Sequence, residues 1–182
     1  LKNTHLMFPN VGIDCINRLK KLSSAGLILM TADKGIHYLS GLENRSPPKL
    51  SKHGSFSLNV NYHALKEHCN LSGGHALFPR HQQAYIDIGC LIYVEDYASF
   101  KETRNAYERF VNDFGPDDYF SLKKLIEKHY DTFTVRDIFS VIRLSAYDAH
   151  IFKQMTPRIM KLIPEFIDNE KWNLYQAIPR IW

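Results

Sequence analysis

The run Gly26-Leu27-Ile28-Leu29-Met30-Thr31-Ala32-Asp33-Lys34-Gly35 limits what this chain can fold into more than any other stretch. Five of its first seven residues are apolar, and it then stops at an acid, a cation and a glycine. A short apolar run ending in such a turn is the pattern of a central strand in an α/β sheet, which carries its chemistry at its carboxyl edge. We expect that strand over 27–32. Ahead of it, Asn10 is placed to cap a helix with Val11, Cys15, Leu19 and Leu22 as its buried stripe, ended by Ser23-Ser24-Ala25-Gly26. So tight a helix-to-strand link belongs to parallel α/β architecture. The chain opens on Leu1 with about one helix before the strand, so it reads as part of something larger.

Residues 34–54 are polar and interrupted by Gly41, Pro47, Pro48 and Gly54. An irregular stretch of this length, directly after a strand end, is either a place to look for function or a disordered insertion. The alternation Ser55-Phe56-Ser57-Leu58-Asn59-Val60 then suggests a short strand or extended entry. Asn61 caps a helix with Tyr62, Leu65 and Cys69 inward, stopped by Gly73-Gly74. His75-Ala76-Leu77-Phe78 and the longer run Ala84 to Val94 make an antiparallel hairpin. From about Tyr97 the pattern is helical only. Ser99 and Glu102 read as a capping box, Gly115-Pro116 as a break, Thr134 as the cap of a helix burying Ile138, Phe139 and Ile142. Pro157 is expected to kink or divide a helix over 148–162, and a last helix lies near 166–178. The switch near Glu95 divides the chain into 1–95 and a helical extension of αα-hairpin type over 96–182.

Composition excludes little. The 182 residues are 45% hydrophobic and 23% charged, ordinary values for a globular protein. No apolar run is long enough to span a bilayer and no signal peptide is visible, so the expected location is cytoplasmic, without a membrane. Residues 1–95 hold ten Lys/Arg against six Asp/Glu, and 96–182 hold thirteen against thirteen. That excess is too scattered for a nucleic-acid surface. Cys15, Cys69 and Cys90 sit among apolar neighbours and read as buried reduced thiols.

Nine histidines raise the question of a metal. His63 and Glu67 share a helical face, but His68 points elsewhere and no Cys-x-x-Cys or His-x-x-x-His pair exists, so no metal site is expected. Cys69 next to His68 is adjacency along a helix, which separates the side chains by about 100°. Nucleophile-elbow and phosphate-binding glycine loops are missing. The candidates that survive surround the strand end. Asp33 is the candidate catalytic residue, able to accept a substrate proton or hold a cation, and Lys34 could steady an anionic group; the other reading is a solvated turn followed by a helix-capping asparagine. His53, Ser55, Asn59, Tyr62 and His63, with Asn61 between them, are candidate substrate-binding residues.

The order helix, Ala25 to Gly35, irregular insertion, Phe56-Ser57-Leu58-Asn59-Val60-Asn61-Tyr62-His63-Ala64-Leu65, then Gly73-Gly74, resembles the carboxyl-terminal half of MidA-like class I methyltransferases. That family uses S-adenosylmethionine and includes a mitochondrial complex I assembly factor that methylates a protein arginine. Its strand ends in an Asp-Tyr-Gly-type turn, a long loop and extended segment lead into a helix, and a final hairpin completes the sheet. Here Asp33-Lys34-Gly35 stands at that turn, with Lys34 in the aromatic position. The resemblance stops at 95; the helices beyond are similar to connectors preceding tetratricopeptide-type arrays.

The resemblance implies a partial Rossmann-like mixed sheet with a terminal antiparallel hairpin, followed by an all-α region. It implies an S-adenosylmethionine-dependent methyltransferase, acting on a protein. The glycine-rich loop and ribose-binding acid that hold the cofactor in this family are not in the chain, so none of these residues is expected to bind it and this chain alone should not. Uncovered sheet surface would invite self-association. The alternative is a non-catalytic protein-interaction module built from a degenerate α/β unit and a helical scaffold.

Overall fold

The computed structural model describes residues 1–48, 51–52, 56–81 and 83–181, with backbone alone at 51–52 and 56–57. It divides into two compact units, Leu1–Asp117 and Asp118–Trp182.

In the first unit, α1 (Asn10–Lys20) leads into β1 (Leu27–Asp33). A 3-10 turn at Leu39–Leu42 follows, then the short pair β2 (Ser51–Lys52) and β3 (Phe56–Ser57). Helix α2 (Tyr62–Leu71) precedes the hairpin of β4 (His75–Leu77) and β5 (Asp87–Tyr93). Beyond it, α3 (Lys101–Tyr107) runs into a π-helical stretch at Glu108–Asp113.

The sheet order is β1-β5-β4, and β5 is antiparallel to both neighbours, from Leu27 opposite Tyr93 to Asp33 opposite Asp87. The expected strand is present but ends the order among the described strands; the central strand is β5. The reason is burial on two faces. Leu91 and Tyr93 pack with Ile16 of α1 and Tyr62, Leu65 and Cys69 of α2. Cys90 and Ile92 face the other way and pack with Tyr107 and Val111. A strand covered on both faces must be apolar throughout, whereas β1 alternates, with Leu27 and Leu29 half-buried and Ile28 and Met30 exposed. The tight α1–β1 link therefore serves an antiparallel pairing. Gly26 makes it: φ is +107°, and a Cβ there would lie 2.2 Å from the Tyr93 carbonyl oxygen.

Three local expectations need correction. Helix α1 has Pro9 at its cap position and no side-chain cap, so Asn10 opens the helix without capping it. Its buried face is Ile13 and Ile16, continued by Lys20 over the Tyr93 ring at 4.2 Å. Val11 and Leu22 are 84% and 80% exposed, and Cys15 is exposed as well. Ser99 does not cap α3; it closes a 3-10 turn in which the Asp96 carboxylate accepts its N–H at 3.4 Å. Asn61 does cap α2, accepting the Ala64 N–H at 3.0 Å. Strands stop at Tyr93, close to the compositional switch at Glu95, while the first compact unit continues to Asp117 because Tyr107 and Val111 cover β5.

The second unit is helical: most of α4 (Pro116–His129), then α5 (Val135–Leu144), α6 (Ala149–Leu162) and α7 (Asp168–Ile181). Thr134 caps α5 in a reciprocal box with Asp137. Helix α6 is not divided at Pro157. Ile126, Ile138, Ile142, Ile151, Met155 and Ile159 form its core with Phe166, Ala177 and Ile181. The fold is thus mixed α/β followed by helices. No helix among the described residues is long and apolar enough to cross a membrane.

Candidate functional site

The carboxyl end of β1 is stitched to the entrance of α2. The Val60 N–H donates to Lys34 O at 2.8 Å, the Ile36 N–H to Val60 O at 3.0 Å, and the His63 N–H to Ile36 O at 2.8 Å. Gly35 lies between these bonds, paired in parallel with Val60. A Cβ on Gly35 would sit 2.3 Å from Tyr62 Cδ2 and 2.7 Å from Val60 O, so close approach demands glycine here.

The amino-terminal segment packs beside the loop after the 3-10 turn. The Thr4 hydroxyl donates to Leu42 O, the His5 N–H to Arg45 O at 3.1 Å, and the Asn44 N–H to Lys2 O at 3.3 Å. Asn61 Nδ2 reaches Met7 O at 3.2 Å. Between these segments and the end of β1 lies a half-open cavity of about 530 Å³. His5, Lys34, Asn44, Arg45, Asn59 and Asn61 supply most of its polar wall. Leu6, Met7, Ile36, Leu42, Leu58 and Val60 supply most of its apolar wall.

Behind Gly35 a buried polar layer crosses from loop to sheet. The Tyr62 and Thr31 hydroxyls are hydrogen-bonded at 3.0 Å, and Tyr62 is 1% exposed. Burial pushes its phenol above the ordinary value, with Thr31 partly opposing and Asp33 and Asp87 adding to the rise. His37 Nδ1 faces Asp87 Oδ1 at 3.2 Å, an oblique contact between two buried side chains. The His37 ring is stacked on Phe78 at 5.6 Å.

Of the residues expected from sequence, Lys34 and Asn59, with Asn61, line the cavity. Asp33 is exposed beside it, its Oδ1 accepting the Lys34 N–H at 2.7 Å. Tyr62 lies under Gly35 and His63 on α2, neither in the lining. His53 and Ser55 lie outside the described residues. Sequence reasoning passed over His5, Asn44 and Arg45, which reach the cavity only through the packing of the chain start. It also passed over the His37–Asp87 pair. Asp87 carried a signal, being a carboxyl inside the apolar run Ile86-Asp87-Ile88, where a buried acid needs a partner.

The two buried thiols offer no nucleophile. Cys69 and Cys90 are fully buried, and burial raises both, Cys90 to about 11. Among the described residues no group of three or more His, Cys, Asp or Glu is placed to hold a metal ion. No protein-family model matches this chain, and no curated protein or solved structure matches it either.

Proposed function

We propose that this chain is part of an S-adenosylmethionine-dependent methyltransferase acting on a protein, and that these residues form its substrate side. The supporting observation is the sheet. Strands β1 and β4 run in the same direction, with α2 on the path between them, and β5 enters last between the two, antiparallel to both. Parallel strands joined through a helix are the unit of doubly wound sheets. Closure by a hairpin is the order that the MidA-like resemblance implies, and on this reading the sheet is a partial Rossmann-like one. The cavity adjoins the carboxyl end of β1, where open α/β sheets take their ligands. Asp33 stands at its rim to accept a proton, and Lys34 and Asn59 orient the substrate. The cofactor would be held by polypeptide outside these residues.

The test is calorimetric titration of S-adenosylmethionine into the full-length protein, followed by transfer of a labelled methyl group onto protein acceptors. Saturable heat is expected, with Asp33→Ala lowering turnover at an unchanged melting temperature. No heat at saturating cofactor would overturn the proposal. A second reading, a non-catalytic interaction module, is favoured by one observation: Ile28 and Met30, on one face of β1, are both exposed. Absence of cofactor binding together with capture of a protein partner through that surface would select it.

A further inference from the structure

We infer that the cavity at the end of β1 takes a carboxylate-bearing stretch of polypeptide, so that the protein substrate presents an acidic segment there. This rests on the methyltransferase reading for the word substrate, but the binding itself does not need it.

The charge of the wall is one-sided. Lys34, Arg45 and His5 are its titratable side chains, and no Asp or Glu occurs among the described lining residues. Asp33 and Glu43 adjoin lining residues in sequence without lining the cavity themselves. Neither cation is spent on an acid: among the described residues Lys34 and Arg45 form no ion pair. Arg45 uses its Nε–H on Gly41 O at 2.6 Å, which pins the side chain and leaves the two Nη groups, the fork that suits a carboxylate, without a described partner. Asn44, Asn59 and Asn61 add amide groups on the same wall.

Size and surface decide what carries the anion. A volume of about 530 Å³ is in the range that encloses a drug-sized ligand and far exceeds a bare oxyanion. Met7, Ile36, Leu42 and Leu58 give the same cavity apolar surface that a bare ion would leave wet. An acidic residue flanked by apolar side chains satisfies both walls, and the positive wall draws it in.

The test is fluorescence anisotropy at low salt with a labelled eight-residue peptide of alternating Asp and Leu, against its Asn-for-Asp counterpart. The acidic peptide should bind at least tenfold more tightly, and Lys34→Gln with Arg45→Gln should remove that preference. If the double variant fails to fold, Lys34→Gln alone, which breaks no described side-chain contact, should weaken the acidic peptide several-fold. Equal binding of the two peptides, no binding of either, full affinity in Lys34→Gln, or displacement by inorganic phosphate at equal affinity would each overturn the inference. No cofactor is present in this assay. Acidic-peptide binding by a full-length protein that binds no S-adenosylmethionine therefore removes the methyltransferase reading and keeps the cavity's preference; the reverse result removes only the preference.

Discussion

Replacing His37 with Phe separates two things that its ring does. The stack on Phe78, at 5.6 Å with planes 12° apart, and the edge contact with Tyr38 at 5.2 Å are both within reach of a phenyl ring. The 3.2 Å contact with Asp87 is not. Asp87 is 4% exposed, and its Oδ1 has no hydrogen-bond partner among the described residues. The variant therefore strands a buried carboxyl against hydrocarbon. A buried polar group left without a partner costs about 1–3 kcal/mol, so we expect a loss of about 2 kcal/mol. Amide hydrogen exchange of β5 in a urea series reports it. Adding Asp87→Leu should recover most of the loss, because an apolar pair replaces the stranded acid. A loss below about 1 kcal/mol, within the range of ordinary substitutions, would refute the argument, as would a double variant no better than the single one.

Gly35→Ala should cost about 1–3 kcal/mol through overpacking against Tyr62, visible as a lower urea midpoint. An aromatic reagent for thiols at pH 8 should label Cys15 alone in the native protein and all three cysteines after denaturation; rapid native labelling of Cys90 would contradict its burial. Asp137 is held below the usual carboxylate range, first by the Thr134 hydroxyl and then by the Thr134 N–H. A lowered folded value means its contribution is present above the unfolded value and is lost as pH falls through the folded one. Asp137→Asn should accordingly flatten the loss of helical circular dichroism below about pH 4; an unchanged acid limb would count against the box.

What could be read from the sequence was what residues near each other decide. Asn61 with Gly73-Gly74 brackets α2, Thr134 opens α5, and the paired apolar runs give the β4–β5 hairpin. What could not be read was settled by distant partners. Helix α1 carries two apolar stripes, Val11-Cys15-Leu19-Leu22 and Ile13-Ile16, and the one that faces β5 wins. The rank of the strands escaped for the same reason: 27–32 and 86–94 are both apolar, and only α3 packing over Cys90 and Ile92 makes β5 central. At the site, Lys34 and Asn59 are legible because they flank a strand end. Arg45 and His37 are not, since hydrogen bonds to the chain start and the register of β1 with β5 place them.

The position of β5 also fixes the order in which this chain can become stable during synthesis. Neither β1 nor β4 pairs with the other, so nothing in the three-stranded sheet can zip until residues 87–93 have left the ribosome. Bridging Leu27 to Tyr93 requires closing a long loop before any contact repays it, whereas the second unit is built from neighbouring helices. The sheet should thus be the slow step for nascent chains, and a ribosome stalled just short of Asp87 would carry an open, sticky β1.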